Sequence, residues 1–240
     1  MSDVACRAQD AMTPTPRAAI VVMARYPEAG ATKTRLARTL GNEATAQLYR
    51  EFLHDTAFHC SALPYTLHWA YTPAHVDYEA LVAELAPAQA QKMVCFAQQG
   101  ADFGQRLQHA FDYTSQQGFE HIILIGSDTP HIQSERIEEA YAALNDSDVV
   151  LGPAEDGGYY LIALKALHDV FSGIPMSTDS VLRMTIESAQ RQGLRVQLLE
   201  PLFDIDEISE LKRLTTLLVH EPQRAPATAI HLQKMEDIPW

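Results

Sequence analysis

Ile122-Ile123-Leu124-Ile125-Gly126-Ser127-Asp128-Thr129-Pro130 is an apolar run that stops abruptly at an acidic residue, on a turn marked by glycine and proline. Consecutive aliphatic residues bounded by turn formers fit a strand of a parallel sheet buried on both faces, with Asp128 just past its carboxyl end. Open α/β sheets bind their ligands along that edge. A carboxylate there, followed by a proline that fixes the turn, is suited to holding a divalent cation, Mg2+ or Mn2+, against a phosphate. The competing role for Asp128 is to cap a helix expected from about Gln133 to Leu144.

Outward from this strand the chain alternates strands and helices. Toward the N-terminus, Ala18 to Ala24 is a continuous apolar run that predicts a first strand, followed by a glycine-containing loop from Arg25 to Thr32. Apolar residues at helical spacing predict a helix over Glu43 to Cys60, then a strand at Leu67 to Tyr71, a helix at Val76 to Leu85, a strand at Met93 to Ala97 and a helix at Phe103 to Gln117. Beyond Asp128 come short strands at Asp148 to Leu151 and Tyr159 to Leu164, a helix from Thr178 to Gln192 capped by Ser177 or Thr178, a strand at Arg195 to Leu199 and a helix at Glu207 to His220. Such alternation implies a mostly parallel sheet with helices on both faces. With no internal repeat or long linker, residues 17–220 read as one domain. Residues 1–16 and the tail 221–240, with Pro14, Pro16, Pro222 and Pro226, read as arms, and Trp240 as a residue that docks on the body or on a partner subunit.

At 240 residues, 47% apolar and 20% charged, the chain can bury a full core. No run approaches the roughly 18 apolar residues of a membrane span, and Met1 to Thr15 has no apolar core of signal-peptide length, so a soluble cytoplasmic protein is expected. Cys6, Cys60 and Cys95 are far apart and form no Cys-x-x-Cys pair, so neither a zinc site nor a disulfide framework is indicated. A net charge of −13 argues against nucleic acid as a partner. Against that background Arg25, Lys33, Arg35 and Arg38 cluster in a chain with 18 basic residues, which suggests a pocket for a small polyanion such as a nucleoside triphosphate.

The loop that carries them, Tyr26 to Leu36, contains Gly30-x-x-Lys33-Thr34 but is not a P-loop, because Pro27 and Thr32 stand where that motif requires glycine. What survives is a turn delivering Lys33 and Arg35 near a helix start, toward phosphate oxygens. A second motif, Gln98-Gln99-Gly100-Ala101-Asp102-Phe103-Gly104-Gln105-Arg106, runs from a strand end into a helix. Its glycines permit close backbone approach to a ligand, and Asp102 is the expected cap. A third, Glu155-Asp156-Gly157-Gly158-Tyr159-Tyr160, puts two carboxylates and a glycine pair before a strand. It reads as an ordinary turn or as the side of the cleft that receives an acceptor. In the fourth, Phe203-Asp204-Ile205-Asp206, the two aspartates share a side if the segment is extended. Asp206 supplies the second, distant carboxylate that a magnesium ion beside Asp128 would need.

Taken in order, Lys33-Thr34-Arg35-Leu36, Gln99-Gly100-x-Asp102-x-Gly104-x-Arg106, Gly126-Ser127-Asp128-x-Pro130, Gly152-Pro153-x-x-Asp156-Gly157-Gly158-Tyr159 and Asp204-x-Asp206 resemble the bacterial family DUF2064 over roughly Ala18 to Leu214. That family belongs to the GT-A-fold nucleotide-diphospho-sugar transferases and is similar, more distantly, to 2-phospholactate guanylyltransferase and the molybdenum-cofactor nucleotidyltransferases. The resemblance implies a GT-A-like three-layer αβα sandwich and a metal-dependent transferase. Arg25, Lys33, Arg35, Gln99, Gly100, Arg106 and Ser127 would then contact the nucleotide, and Asp128 and Asp206 would take Mg2+ or Mn2+. Lys33, Arg35, Asp128 and Asp156 would serve catalysis. Met176, Phe203 and Arg25 depart from the family pattern, which bears on the acceptor side more than on the nucleotide side. The favoured activity is nucleotidyl transfer from a nucleoside triphosphate to a small acceptor. Glycosyl transfer from a nucleotide sugar is the alternative, and a nucleotide-binding regulator without catalysis a third. A homodimer is compatible with all three.

Overall fold

The computed structural model describes residues 17–176 and 178–235. The expected arm 1–16, the Ser177 cap and Trp240 lie outside the described residues. Within them are seven strands, β1 (Ala18–Arg25), β2 (Thr66–Thr72), β3 (Val94–Ala97), β4 (His121–Gly126), β5 (Val149–Pro153), β6 (Tyr159–Leu164) and β7 (Val196–Leu198). The helices are α1 (Thr34–Leu40), α2 (Asn42–Ser61), α3 (Tyr78–Leu85), α4 (Phe103–Gln116), α5 (Ser134–Ala143), α6 (Val181–Arg191), α7 (Ile208–His220) and α8 (Pro226–Lys234). The strands form one sheet in the order β3-β2-β1-β4-β6-β5-β7. Only β6 runs against the others, antiparallel to both β4 and β5, so the carboxyl ends of the other six strands share one edge.

The apolar runs are continuous because both faces of the sheet are covered. Period-two alternation sends Ile20, Val22 and Ala24 of β1 to one core and Ala19, Val21 and Met23 to the other. The first core packs α2, α3, α5, α7 and α8 on the sheet around Phe52, Trp69, Ile123 and Leu214. The second packs α4 and α6 around Leu107, Phe111, Leu124 and Ile162. The result is the expected α/β three-layer sandwich. Among the described residues no helix is long and apolar enough to cross a membrane.

Two boundaries correct the sequence reading. The helix expected from Thr178 begins at Val181, after Ser180. The tail from residue 221, expected as an arm, instead carries a short 3-10 turn and α8, whose Thr228, Ala229 and Leu232 are buried. Pro226 stands at the first position of α8, where its missing N–H costs no helical hydrogen bond. Two following amides, of Ala227 and Thr228, donate to the buried carboxylate of Asp55 on α2 at 2.8 and 2.9 Å. This cap comes from a different helix, so no local pattern around residue 226 announces it.

The sheet order positions the site. β1 lies between β2 and β4, and the chain reaches β4 only after building β2 and β3 on the far side of β1. The loops leaving β1 and β4 therefore diverge at a switch point and open a crevice between them. The Arg25 to Lys33 loop forms one wall and Asp128 the other.

Candidate active site

The crevice is a cleft of about 490 Å³ lined by Arg25, Lys33, Arg35, Tyr49, Gln98, Phe103, Arg106, Ser127, Asp128 and Asp206, among others. At its centre the Lys33 ammonium donates to Asp128 Oδ1 at 2.7 Å and to Asp206 Oδ1 at 2.8 Å. The two aspartates singled out in the sequence thus meet on one cation. The Lys33 side chain is 5% exposed, and its carboxylate partners are 48% and 41% exposed. Burial pulls the lysine pKa down, but Asp128 and Asp206 more than offset it, and the net shift is upward. Asp206 responds in kind: burial pushes its carboxyl up, while Lys33 and then Arg35 hold it below its ordinary value. Lys33 is also the one non-glycine residue at positive φ among those described, at φ 48°. It takes this left-handed conformation as the residue preceding α1.

Asp206 arrives through a backbone contact. The amide of Ile205 donates to the carbonyl of Asp128 at 2.9 Å, stitching the Asp204–Asp206 segment to the end of β4. Arg35 stands at the rim, 65% exposed and 3.9 Å from Asp206. Arg25 and Arg106 also line the cleft, whereas Arg38 is exposed on α1 and does not. Among the described residues no group of three or more His, Cys, Asp or Glu is arranged to hold a metal. The protein therefore offers a divalent cation two convergent carboxylates. That donor set fits magnesium or manganese, ions that take one or two carboxylates and leave the remaining positions to phosphate and water.

Behind Asp128 a buried hydroxyl chain fixes the wall. The Arg25 amide donates to Tyr49 Oη at 3.0 Å, Tyr49 Oη lies 2.7 Å from Ser127 Oγ, and Ser127 Oγ donates to the Met23 carbonyl at 3.0 Å. A carbonyl only accepts, so the serine proton points to Met23 and the tyrosine proton to Ser127. Burial first and Asp128 second push the Tyr49 phenol up to about 12, so it stays protonated. Ser127, expected as a ligand residue, lines the cleft with its one proton already committed. Tyr49 escaped the sequence reading because it lies in mid-helix on the apolar face of α2.

The second motif is corrected by one residue. Gln98 lines the cleft, while Gln99 and Gly100 are exposed and are not among its lining residues. The Gln98 amide nitrogen donates to the carbonyls of Ala24 and Ala70 at 3.2 and 2.8 Å, locking the ends of β1 and β2. Strand parity is the signal that would have found it, because Gln98 shares the face of buried Phe96. Gly100, at φ 140°, serves the turn: a Cβ there would sit 2.8 Å from the Arg106 amide nitrogen. Asp102 caps α4 through the Gln105 amide at 2.8 Å. Phe103 joins Arg106 on the cleft wall while remaining 46% exposed.

Asp156 does not line this cleft. It closes its own turn by accepting from the Gly158 amide at 2.8 Å. Gly157 is required there, since at φ 91° a Cβ would lie 2.2 Å from the Asp179 carbonyl oxygen. The charge of Asp156 is felt by Asp204, whose half-buried carboxyl is pushed up to about 6 by burial, then by Asp156 and Asp206. Neighbouring Glu155 is held by Arg213 of α7 in a two-pronged pair at 2.5 and 2.8 Å. The Arg213 guanidinium lies 3.9 Å over the Phe203 ring. The third and fourth sequence motifs are thus one assembly, with Phe203 taking the arginine's flat face.

This architecture, with acids and bases gathered at the carboxyl edge of a mostly parallel sheet, is that of the nucleotide-diphospho-sugar transferases. A candidate nucleotide-diphospho-sugar transferase from Desulfovibrio desulfuricans G20 is 34% identical, covers 92% of this chain and 95% of its own, and superposes with a TM-score of 0.84. The model of DUF2064, described as an uncharacterized protein conserved in bacteria, matches residues 63–178. The chain belongs to this family of transferases. The fold extends to remoter structures. A cytidylyltransferase from Leptospira borgpetersenii serovar Hardjo-bovis (strain JB197) is 12% identical, with coverage of 91% and 93% and a TM-score of 0.56. A 4-diphosphocytidyl-2C-methyl-D-erythritol synthase is 10% identical, with coverage of 86% and 100% and a TM-score of 0.55. No curated protein matches the sequence.

Proposed function

We propose that this transferase is a metal-dependent nucleotidyltransferase, in which an acceptor phosphate or hydroxyl attacks the α-phosphorus of a nucleoside triphosphate and pyrophosphate leaves. The meeting of Lys33, Asp128 and Asp206 in a cleft otherwise rimmed by Arg25, Arg35 and Arg106 carries this reading. Asp128 and Asp206 would hold Mg2+ or Mn2+, which when bound neutralises charge on phosphate oxygens. Lys33 and Arg35 bind and orient those oxygens, so that the chain contributes chiefly positioning and fixed charge. Asp156 and Asp204, whose charges act on each other and which do not line the cleft, are assigned to acceptor placement. The cytoplasmic location expected from the sequence is part of the same proposal.

Glycosyl transfer from a nucleotide sugar is the second reading, favoured by the description of the relative that is 34% identical. Thermal unfolding in the presence of nucleoside triphosphates and of nucleotide sugars, with and without magnesium or manganese, separates the two, because specific ligands raise the apparent stability of the folded state. Stabilisation by triphosphates supports nucleotidyl transfer, and stabilisation by nucleotide sugars alone replaces it with glycosyl transfer. No metal-dependent stabilisation by either class would refute both.

A further inference from the structure

We propose that Lys33 is the resident cation of the Asp128–Asp206 pair, and that the pair accepts a divalent cation only together with a polyphosphate that draws the lysine ammonium away. The inference rests on the metal site of the proposed function and adds the form in which the metal arrives: as part of a metal–polyphosphate substrate.

Lys33 Nζ lies 2.7 and 2.8 Å from the two carboxylate oxygens. An ion held by both carboxylates at the roughly 2.0–2.6 Å of magnesium, manganese or calcium ligation would need the space the ammonium fills. Like charge forbids the two cations from sharing it. Lys33 must therefore move before the pair can be used. Its backbone does not supply that movement, because φ 48° is imposed by the turn into α1 and the Lys33 carbonyl is engaged by the Ala37 amide at 2.9 Å. Rotation within the side chain remains.

A displaced ammonium then needs a new anion, since its side chain is almost wholly buried and an unpaired buried charge is costly. The lining of the cleft offers none, and Asp204, a further carboxylate that feels the Lys33 charge, is not part of that lining. Asp128 and Asp206 are the carboxylates among its lining residues, and the other charged groups are Arg25, Arg35 and Arg106. A polyphosphate between those arginines supplies the missing partner and releases the aspartates in the same event. Metal and polyphosphate are thereby coupled through one side chain, and the coupling is reciprocal. This also gives a role to Gly30-x-x-Lys33-Thr34, which is not a P-loop.

The test is Mn2+ binding to the full chain followed by water-proton relaxation, which separates protein-bound Mn2+ from Mn2+–tripolyphosphate in solution. Wild type should bind Mn2+ weakly alone and on the order of tenfold or more tightly with inorganic tripolyphosphate. Lys33→Met should bind Mn2+ alone about tenfold or more tightly than wild type, lose most of the enhancement, and lose the site when Asp128→Asn is added. Lys33→Gln, which keeps a donor but no charge, should follow Lys33→Met and serves if the methionine variant fails to fold by circular dichroism. Two folded Lys33 variants that bind Mn2+ no better than wild type would overturn the proposal. Wild type binding Mn2+ equally well with and without tripolyphosphate would overturn it while leaving the nucleotidyltransferase reading in place. Mn2+ binding indifferent to Asp128→Asn, beside intact nucleotide binding, would remove the metal site from both.

Discussion

Asp204→Asn should make the protein more stable at neutral pH and less active. In the fold the Asp204 carboxyl is raised from its ordinary 3.8 to about 6, by burial, then Asp156, then Asp206. The sign follows from proton binding: between these two values the folded state holds a proton that the unfolded chain has lost. Stability is therefore fully present below the unfolded pKa and is lost as pH rises through the folded one. At about 1.36 kcal/mol per unit the full penalty at neutral pH would approach 3 kcal/mol, and solvent screening of a half-exposed group reduces it to about 1–1.5 kcal/mol. Asparagine keeps the shape and removes the charge, so the variant should gain that amount. Urea unfolding of both proteins in a chelator, at about pH 7.5 and again at about pH 4, measures the difference as a shift in midpoint at constant slope. The gap should be present at the higher pH and nearly closed at the lower. A variant no more stable than wild type at neutral pH, or a gap independent of pH, would refute the reasoning. Asp156→Asn should deliver part of the same gain, and the double variant less than the sum, because the two charges act on each other. Turnover should fall in Asp204→Asn although the fold is strengthened, as expected where a site retains an unfavourable charge for use.

Arg35→Ala, at a rim position that leaves the fold untouched, should weaken nucleotide binding in calorimetry by about 1.5–3 kcal/mol, the value of a charged hydrogen bond; unchanged affinity would make Arg35 a solvated loop charge. Asp156→Asn should lower kcat far more than nucleotide affinity, and loss of nucleotide affinity with normal turnover at saturation would move Asp156 to the nucleotide side. Asp55→Ala deletes the acceptor for the first free amides of α8 inside the first core, and should cost about 2–3 kcal/mol in urea unfolding; a loss under about 0.5 kcal/mol would show that α8 does not depend on this cap.

The fold was legible because strands buried on both faces leave runs such as Ala19 to Ala24 and Ile122 to Ile125, which neither amphipathic helices nor loops produce. The ends of those runs also announced Asp128, whose competing role as a helix cap falls away because Gln133 stands at the N-cap of α5. What failed was what depends on distant partners. Pro222 and Pro226 read as breakers because the cap that makes α8 a helix comes from Asp55. The family resemblance points to Gln99 and not to Gln98 because a motif gives spacing, whereas the face a residue takes is set by the parity of β3. Tyr49 gave no signal, because its hydroxyl acquires a role only when β4 brings Ser127 against it.

Lys33 shows the limit most clearly. Its position in the chain suggested a group waiting for phosphate, and its charge suggested the same. Folding gives it an anionic environment of its own first, with both partners contributed by elements far along the chain. The ammonium neutralises two carboxylates that would otherwise repel each other across the cleft, and it does so from a buried position. A residue that the sequence marks as a ligand contact is thus also what holds the two carboxylates of the cleft together. For this reason substitutions at Lys33 must be read through metal affinity and stability as well as through nucleotide affinity, whereas exposed Arg35 touches the carboxylate pair only through its 3.9 Å approach to Asp206.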